Sequence, residues 1–171
     1  MKQVKFGAYK YQTGNIGDNI QTLAILRFVT KVDYYFDRDK INSTKINPQD
    51  QVKLIANGWY MHHRNGVFDW PPEDPNLQPL LISMYLERDV ESNRADLAFF
   101  TEKSRAFLKK FGPVGARDEG TKDFLEKNGI EAYYSGCLTL TLLPDATIPK
   151  NDYILAIDIS DELYQGGEVS P

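Results

Sequence analysis

Short apolar runs alternate along this chain with segments of helical periodicity, and most runs end in a turn rich in glycine or polar residues. Each run is too short to pack alone, and each intervening helix is long enough to carry the chain back. That pattern predicts an α/β fold with a mostly parallel sheet and helices on both faces. Residues 4–9 read as a first strand, and residues 19–29 as a helix with Ile20, Leu23, Ala24 and Phe28 on its buried stripe. Further strands are expected at 33–37, at 52–56 (ended by the breaker pair Asn57-Gly58), at 80–86, 113–116, 131–134 and 153–159. Residues 71–79 hold four prolines and read as a loop. Helices are expected at 94–110, with Phe100, Phe107, Leu108 and Phe111 on one face, and at 121–128, closed by Gly129.

Composition narrows the function classes. The 171 residues suit one domain, with 42% hydrophobic and 26% charged residues, as in an ordinary globular protein. The net charge of −4 argues against non-specific nucleic-acid binding, so an anionic ligand would need a local cluster of donors. Cys137 is the sole cysteine, which excludes an intramolecular disulfide and fits a reducing compartment. With two histidines beside it, a Cys/His-rich zinc site is excluded, and neither a metal nor another cofactor is expected. No apolar run approaches ~18 residues, so the expectation is a cytoplasmic protein without a transmembrane segment.

In a parallel sheet, ligands gather outside the carboxyl ends of the strands. Four clusters fall there: 14–18, 58–64, 117–119 and 135–141. Gly14-Asn15-Ile16-Gly17-Asp18 joins a strand to a helix, so its glycines and the helix N–H groups suit a phosphate or a sugar hydroxyl. The same residues equally make a tight turn with Asn15 or Asp18 as helix cap. His62 and His63 are the only histidines; either suits a general acid near neutral pH, or one packs under the proline-rich loop while the other is solvated. Trp59, Tyr60 and Trp70 suit stacking on a sugar ring, or anchoring of the loop. Arg117 ends a strand, where its guanidinium fits a carboxylate or phosphate, or a surface ion pair. Asp118 reads as the cap of the following helix. Ser135-Gly136-Cys137 offers a backbone ligand loop or a bend, and Cys137 lacks a nearby base that would make it a nucleophile.

Three of these segments, in order, resemble the polysaccharide pyruvyl transferase family. They are Asn15-Ile16-Gly17-Asp18 with Asn19-Ile20-Gln21-Thr22-Leu23-Ala24, then Val114-Gly115-Ala116-Arg117-Asp118-Glu119-Gly120-Thr121, then Tyr134-Ser135-Gly136-Cys137-Leu138-Thr139-Leu140-Thr141-Leu142. At Asn57-Gly58-Trp59 the chain departs from the glycine-rich run that many relatives carry. The resemblance implies one half of a glycosyltransferase-B-like fold: a Rossmann-like N-terminal domain at 4–143, with 144–171 as linker and first strand of a second domain. It implies transfer of pyruvate from phosphoenolpyruvate to a saccharide as a ketal, in cell-surface polysaccharide biosynthesis. Under that reading Arg117 clamps the anion, His63 or His62 supplies the acid and Asp18 orients an acceptor hydroxyl. Asn15, Gly17, Trp59 and Ser135 line the substrate. An isolated first domain is expected to be inactive. Two alternatives remain at this point: a nucleotide-sugar glycosyltransferase on the same architecture, and a non-catalytic module that self-associates through its open cleft face.

Overall fold

The computed structural model describes residues 2–10, 16–60, 69–86, 99–143 and 147. Six strands form one wholly parallel sheet, in the order β2-β1-β3-β4-β5-β6. They are β1 (Gln3–Tyr9), β2 (Tyr34–Phe36), β3 (Asp50–Tyr60), β4 (Leu77–Leu86), β5 (Val114–Ala116) and β6 (Ala132–Tyr134). The α/β architecture read from the sequence is therefore present, with helices α1 (Ile16–Ile25), α2 (Glu102–Phe111) and α3 (Glu119–Lys127).

Side-chain alternation along the strands sorts the core into two layers. Tyr9, Leu54, Met84 and Leu86 point to the face covered by α2 and α3, where they cluster with Leu108, Phe124 and Leu125. Ala8 points the other way and packs with Ala24 and Ile25 of α1 and with Leu138, with Ile55 against them. A parallel sheet normally hides both faces. Here the α1 side is the thinner one, and Val4, Phe6 and Leu80 stay exposed. Gly7 lets β2 close onto β1: a Cβ there would stand 2.8 Å from Cε2 of the buried Phe36 ring and 3.1 Å from Val52 Cγ1.

Several boundaries differ from the expectations above, each for a local reason. β3 runs through Asn57-Gly58 instead of stopping there, because a register shift between Ala56 and Gly58 absorbs the glycine. Pro79 lies inside β4, opposite Leu54. β5 meets β4 only at Met84↔Ala116, so that part of β4 has no strand on its outer edge and a missing N–H breaks no ladder there. α2 starts at Glu102 because Thr101 caps it, its hydroxyl accepting from the Ser104 N–H at 3.2 Å. Phe100 therefore precedes the helix and packs on Phe124, with ring centres 4.7 Å apart. The first part of the 94–110 expectation and the whole 153–159 strand lie outside the described residues. Asp118 caps α3 as expected, accepting from Thr121 N at 2.9 Å, and Gly129 follows that helix at φ 69°.

One polar pair sits in the larger core layer. The hydroxyls of Tyr9 and Tyr60, at the ends of β1 and β3, meet at 2.6 Å. Burial pushes both phenols up in pKa; the neighbouring phenol adds to this at Tyr60 and offsets part of it at Tyr9, and Arg38 pulls both down without reversing the shift. Both groups therefore remain neutral, one donating to the other.

Two outcomes follow from this packing. Gly7→Ala forces its methyl into the Phe36 ring and should lower unfolding stability by about 1–3 kcal/mol in urea denaturation. Tyr60→Phe removes the partner of the buried Tyr9 hydroxyl and should lower stability by about 1–3 kcal/mol, while the Tyr9→Phe, Tyr60→Phe double variant should lose less than the sum of the two single variants. Raised folded pKa values make this pair's contribution complete below about pH 10 and progressively lost above it. Stability of the native chain should thus fall more steeply between about pH 10 and 11 than that of the double variant.

Candidate functional site

Because every strand is parallel, all carboxyl ends emerge on one rim. β1 leads through α1 to β2 on one side, and the chain then crosses to β3 on the other. The loops diverge between β1 and β3, and such a switch point opens a crevice at the rim. The structure has a cavity of about 160 Å³ there. Tyr9 and Lys10 come from the end of β1, Asp18, Gln21 and Thr22 from α1, Asp37-Arg38-Asp39 from the turn after β2, and Asn57 from β3.

The cavity is organised around Arg38. Its Nη1 donates to Asp18 Oδ1 at 3.0 Å and its Nη2 to Asp18 Oδ2 at 3.4 Å, a two-pronged pair between largely buried side chains. Burial works against the guanidinium charge, but the Asp18 carboxylate and the nearby Asp39 outweigh it, so the pKa of Arg38 is raised. Asp37 Oδ1 accepts from the Asp39 N–H at 3.0 Å and closes the turn that presents Arg38. α1 is tied to the strands below by Thr22 Oγ1 donating to Tyr9 O at 3.2 Å and by Asn57 Nδ2 donating to Gln21 O at 3.2 Å. Gly58 has φ 110°, and a Cβ on it would stand 2.8 Å from Gln21 Oε1 and 3.4 Å from Arg38 Nη1. The buried oxygen Gln21 Oε1 at this cavity has no hydrogen-bond partner among the described residues.

A second cluster lies farther along the same rim. The Arg117 N–H donates to Met84 O at 2.8 Å and fixes the residue just past β5. Its guanidinium carbon lies 4.5 Å from the centre of the Tyr85 ring, a cation–π contact. Trp59 meets the same ring edge-on, with centres 6.2 Å apart. No carboxylate among the described residues pairs with Arg117. Arg117 itself follows β5, three strand spacings or about 14 Å from β1, whereas Trp59 lies on β3, two residues past Asn57.

The residues singled out in the sequence are thus divided. Asp18 belongs to the switch-point cavity, paired with Arg38; it does not cap α1, which starts two residues earlier. Gly17 lies in the first turn of that helix. Arg117 and Trp59 share the Tyr85 ring. Ser135 is bound into the backbone: its hydroxyl accepts from Ser83 N at 3.1 Å and donates to Ala116 O at 3.0 Å. Tyr60 and Trp70 are core anchors, their rings 5.1 Å apart. His62, His63 and Asn15 lie outside the described residues. Arg38 did not stand out in the sequence, and Gln21 and Asn57 figured there only in a motif and a breaker pair, not as site residues. The available signal was the Asp-Arg-Asp triplet placed just after the second strand, on the rim where ligands gather.

Among the described residues, no group of three or more His, Cys, Asp or Glu side chains could hold a metal ion, and no helix is long and apolar enough to cross a membrane. No curated protein matches the chain, and no solved structure does. A family model does: that of polysaccharide pyruvyl transferase matches residues 98–168. The matched stretch contains α2, β5, Arg117, α3, β6 and Ser135. Two of the three motifs that carry the resemblance, 114–121 and 134–142, lie within that stretch, and there the likeness to the family is borne out.

Proposed function

We propose that this protein serves pyruvyl transfer from phosphoenolpyruvate to a saccharide, with Arg117 as the clamp on the anionic donor. The reaction adds a proton to the methylene carbon of the enol and leaves an oxocarbenium-like carbon beside the carboxylate. Two saccharide hydroxyls form bonds to that carbon, and the bond from it to the phosphate oxygen breaks. One hydroxyl proton balances the proton delivered to the methylene, the other departs with phosphate, and the product is a ketal.

The observation that carries this reading is the state of Arg117. It stands at the carboxyl end of a strand within the matched family segment, on an aromatic platform and, among the described residues, without a carboxylate partner. A guanidinium so placed has its N–H fork available for a carboxylate or phosphate. Asp118 next to it is engaged by the Thr121 N–H and hydroxyl at 2.9 and 2.8 Å, so it leaves the fork unblocked. His62 and His63 are the proposed sources of the proton, and Asp18 the residue that orients an acceptor hydroxyl. The work is done at loops held by a rigid sheet, where preorganised charge gives the largest rate effect.

Calorimetric titration tests the clamp. Phosphoenolpyruvate should bind the native chain, and Arg117→Ala should weaken it about tenfold or more. Tyr85→Leu should weaken it less, through loss of the platform alone. Tighter binding of a UDP-sugar than of phosphoenolpyruvate would replace this reading with that of a nucleotide-sugar enzyme.

A further inference from the structure

We propose that the cavity at the β1/β3 switch point is a subsite for the hydroxyl-bearing edge of an uncharged saccharide, and that it selects against carboxylated and phosphorylated sugars. The proposal rests on the saccharide substrate class of the proposed function and names the residues that would set its specificity. Among the described residues, three carboxylates (Asp18, Asp37 and Asp39) face two cations (Arg38 and Lys10) around the cavity. Arg38 is already held by both oxygens of Asp18, and its Nε lies 3.5 Å from Asp39 Oδ1. The balance left for a ligand is therefore negative, and a like charge brought into a half-enclosed site is strongly disfavoured.

A sugar hydroxyl meets the opposite situation. It donates and accepts at once, and the walls offer carboxylate oxygens together with the outer N–H groups of a guanidinium. The volume also decides. About 160 Å³ is below the ~300–1,000 Å³ of sites that enclose drug-sized ligands, which leaves room for one ring edge and not for a nucleotide. The anion is directed instead to Arg117, about 14 Å along the rim by strand spacing. Donor and acceptor recognition are thus built on separate strand ends of one sheet.

Ligand-observed NMR with the full chain tests this. The probes are methyl gluco-, galacto- and mannopyranoside, each beside the uronic acid and the 6-phosphate of the same sugar. At least one methyl pyranoside should bind, and its two anionic counterparts should bind about tenfold more weakly or worse. The double variant Asp37→Asn, Asp39→Asn keeps the oxygen that closes the turn but removes two charges, so it should narrow that gap several-fold. Lys10→Ala should widen it. Absence of binding by every neutral sugar, equal binding of a uronate or phosphate, or an unchanged gap in the double variant would overturn the proposal. Phosphoenolpyruvate is titrated separately: its failure to bind rejects the Arg117 clamp and leaves a positive sugar result standing.

Discussion

The reversal of strand order between β1 and β3 governs the chemistry available to this molecule. Chain leaving β1 goes one way to β2, and chain returning to β3 crosses to the other side. Among the described residues, side chains line the crevice between the diverging loops, and the sequence supplies groups that tolerate partial burial there. It does so with an ion pair. Asp18, at the start of α1, and Arg38, in the turn after β2, hold each other at 3.0 Å. Either partner alone would be a charge with little access to water, a costly state. The pair therefore locks the start of α1 to the turn after β2.

Beneath that lock lies the phenol pair of Tyr9 and Tyr60. Gly7 is level with Leu54, so β3 runs four residues beyond the end of β1, and the two phenols meet across that offset. Each phenol satisfies the other, so the core gains two large rings without an orphaned hydroxyl. Arg38 lies close enough to influence both. The crevice thus has a rigid and neutral floor with a charged collar, a combination that favours polar recognition at the mouth over titration in the depth.

Much of the framework was legible in the sequence because its signals are local. Asp118 before a helix and Gly129 after it act within a few residues and are where the pattern put them, and the apolar runs at 52–56 and 80–86 mark strands that extend beyond them. What escaped notice depends on partners far apart in the chain. Asn57-Gly58 looks like the end of a strand until the neighbouring β4 supplies the extra residue that matches the irregularity. Pro79 looks like a loop residue until the shortness of β5 makes it harmless. Arg38 looks like a surface charge until Asp18, twenty residues earlier, is seen beside it. Ser135 looked like a ligand-binding hydroxyl, and its partners prove to be backbone atoms of β4 and β5. Arg117 was singled out with its sequence context, and the Tyr85 ring under it could not have been read from spacing.

The buried Ser83 is the non-glycine residue with positive φ among those described, at 54°. Its hydroxyl accepts from the Leu138 N–H at 2.8 Å, while its own N–H reaches Ser135 at 3.1 Å. The segment after β6 is in this way riveted to the interior of β4. Tyr85, the seat of Arg117, is only two residues downstream on that strand. The strand that seats the Arg117 guanidinium on Tyr85 is thus also the strand that anchors the chain entering the turn at Leu138.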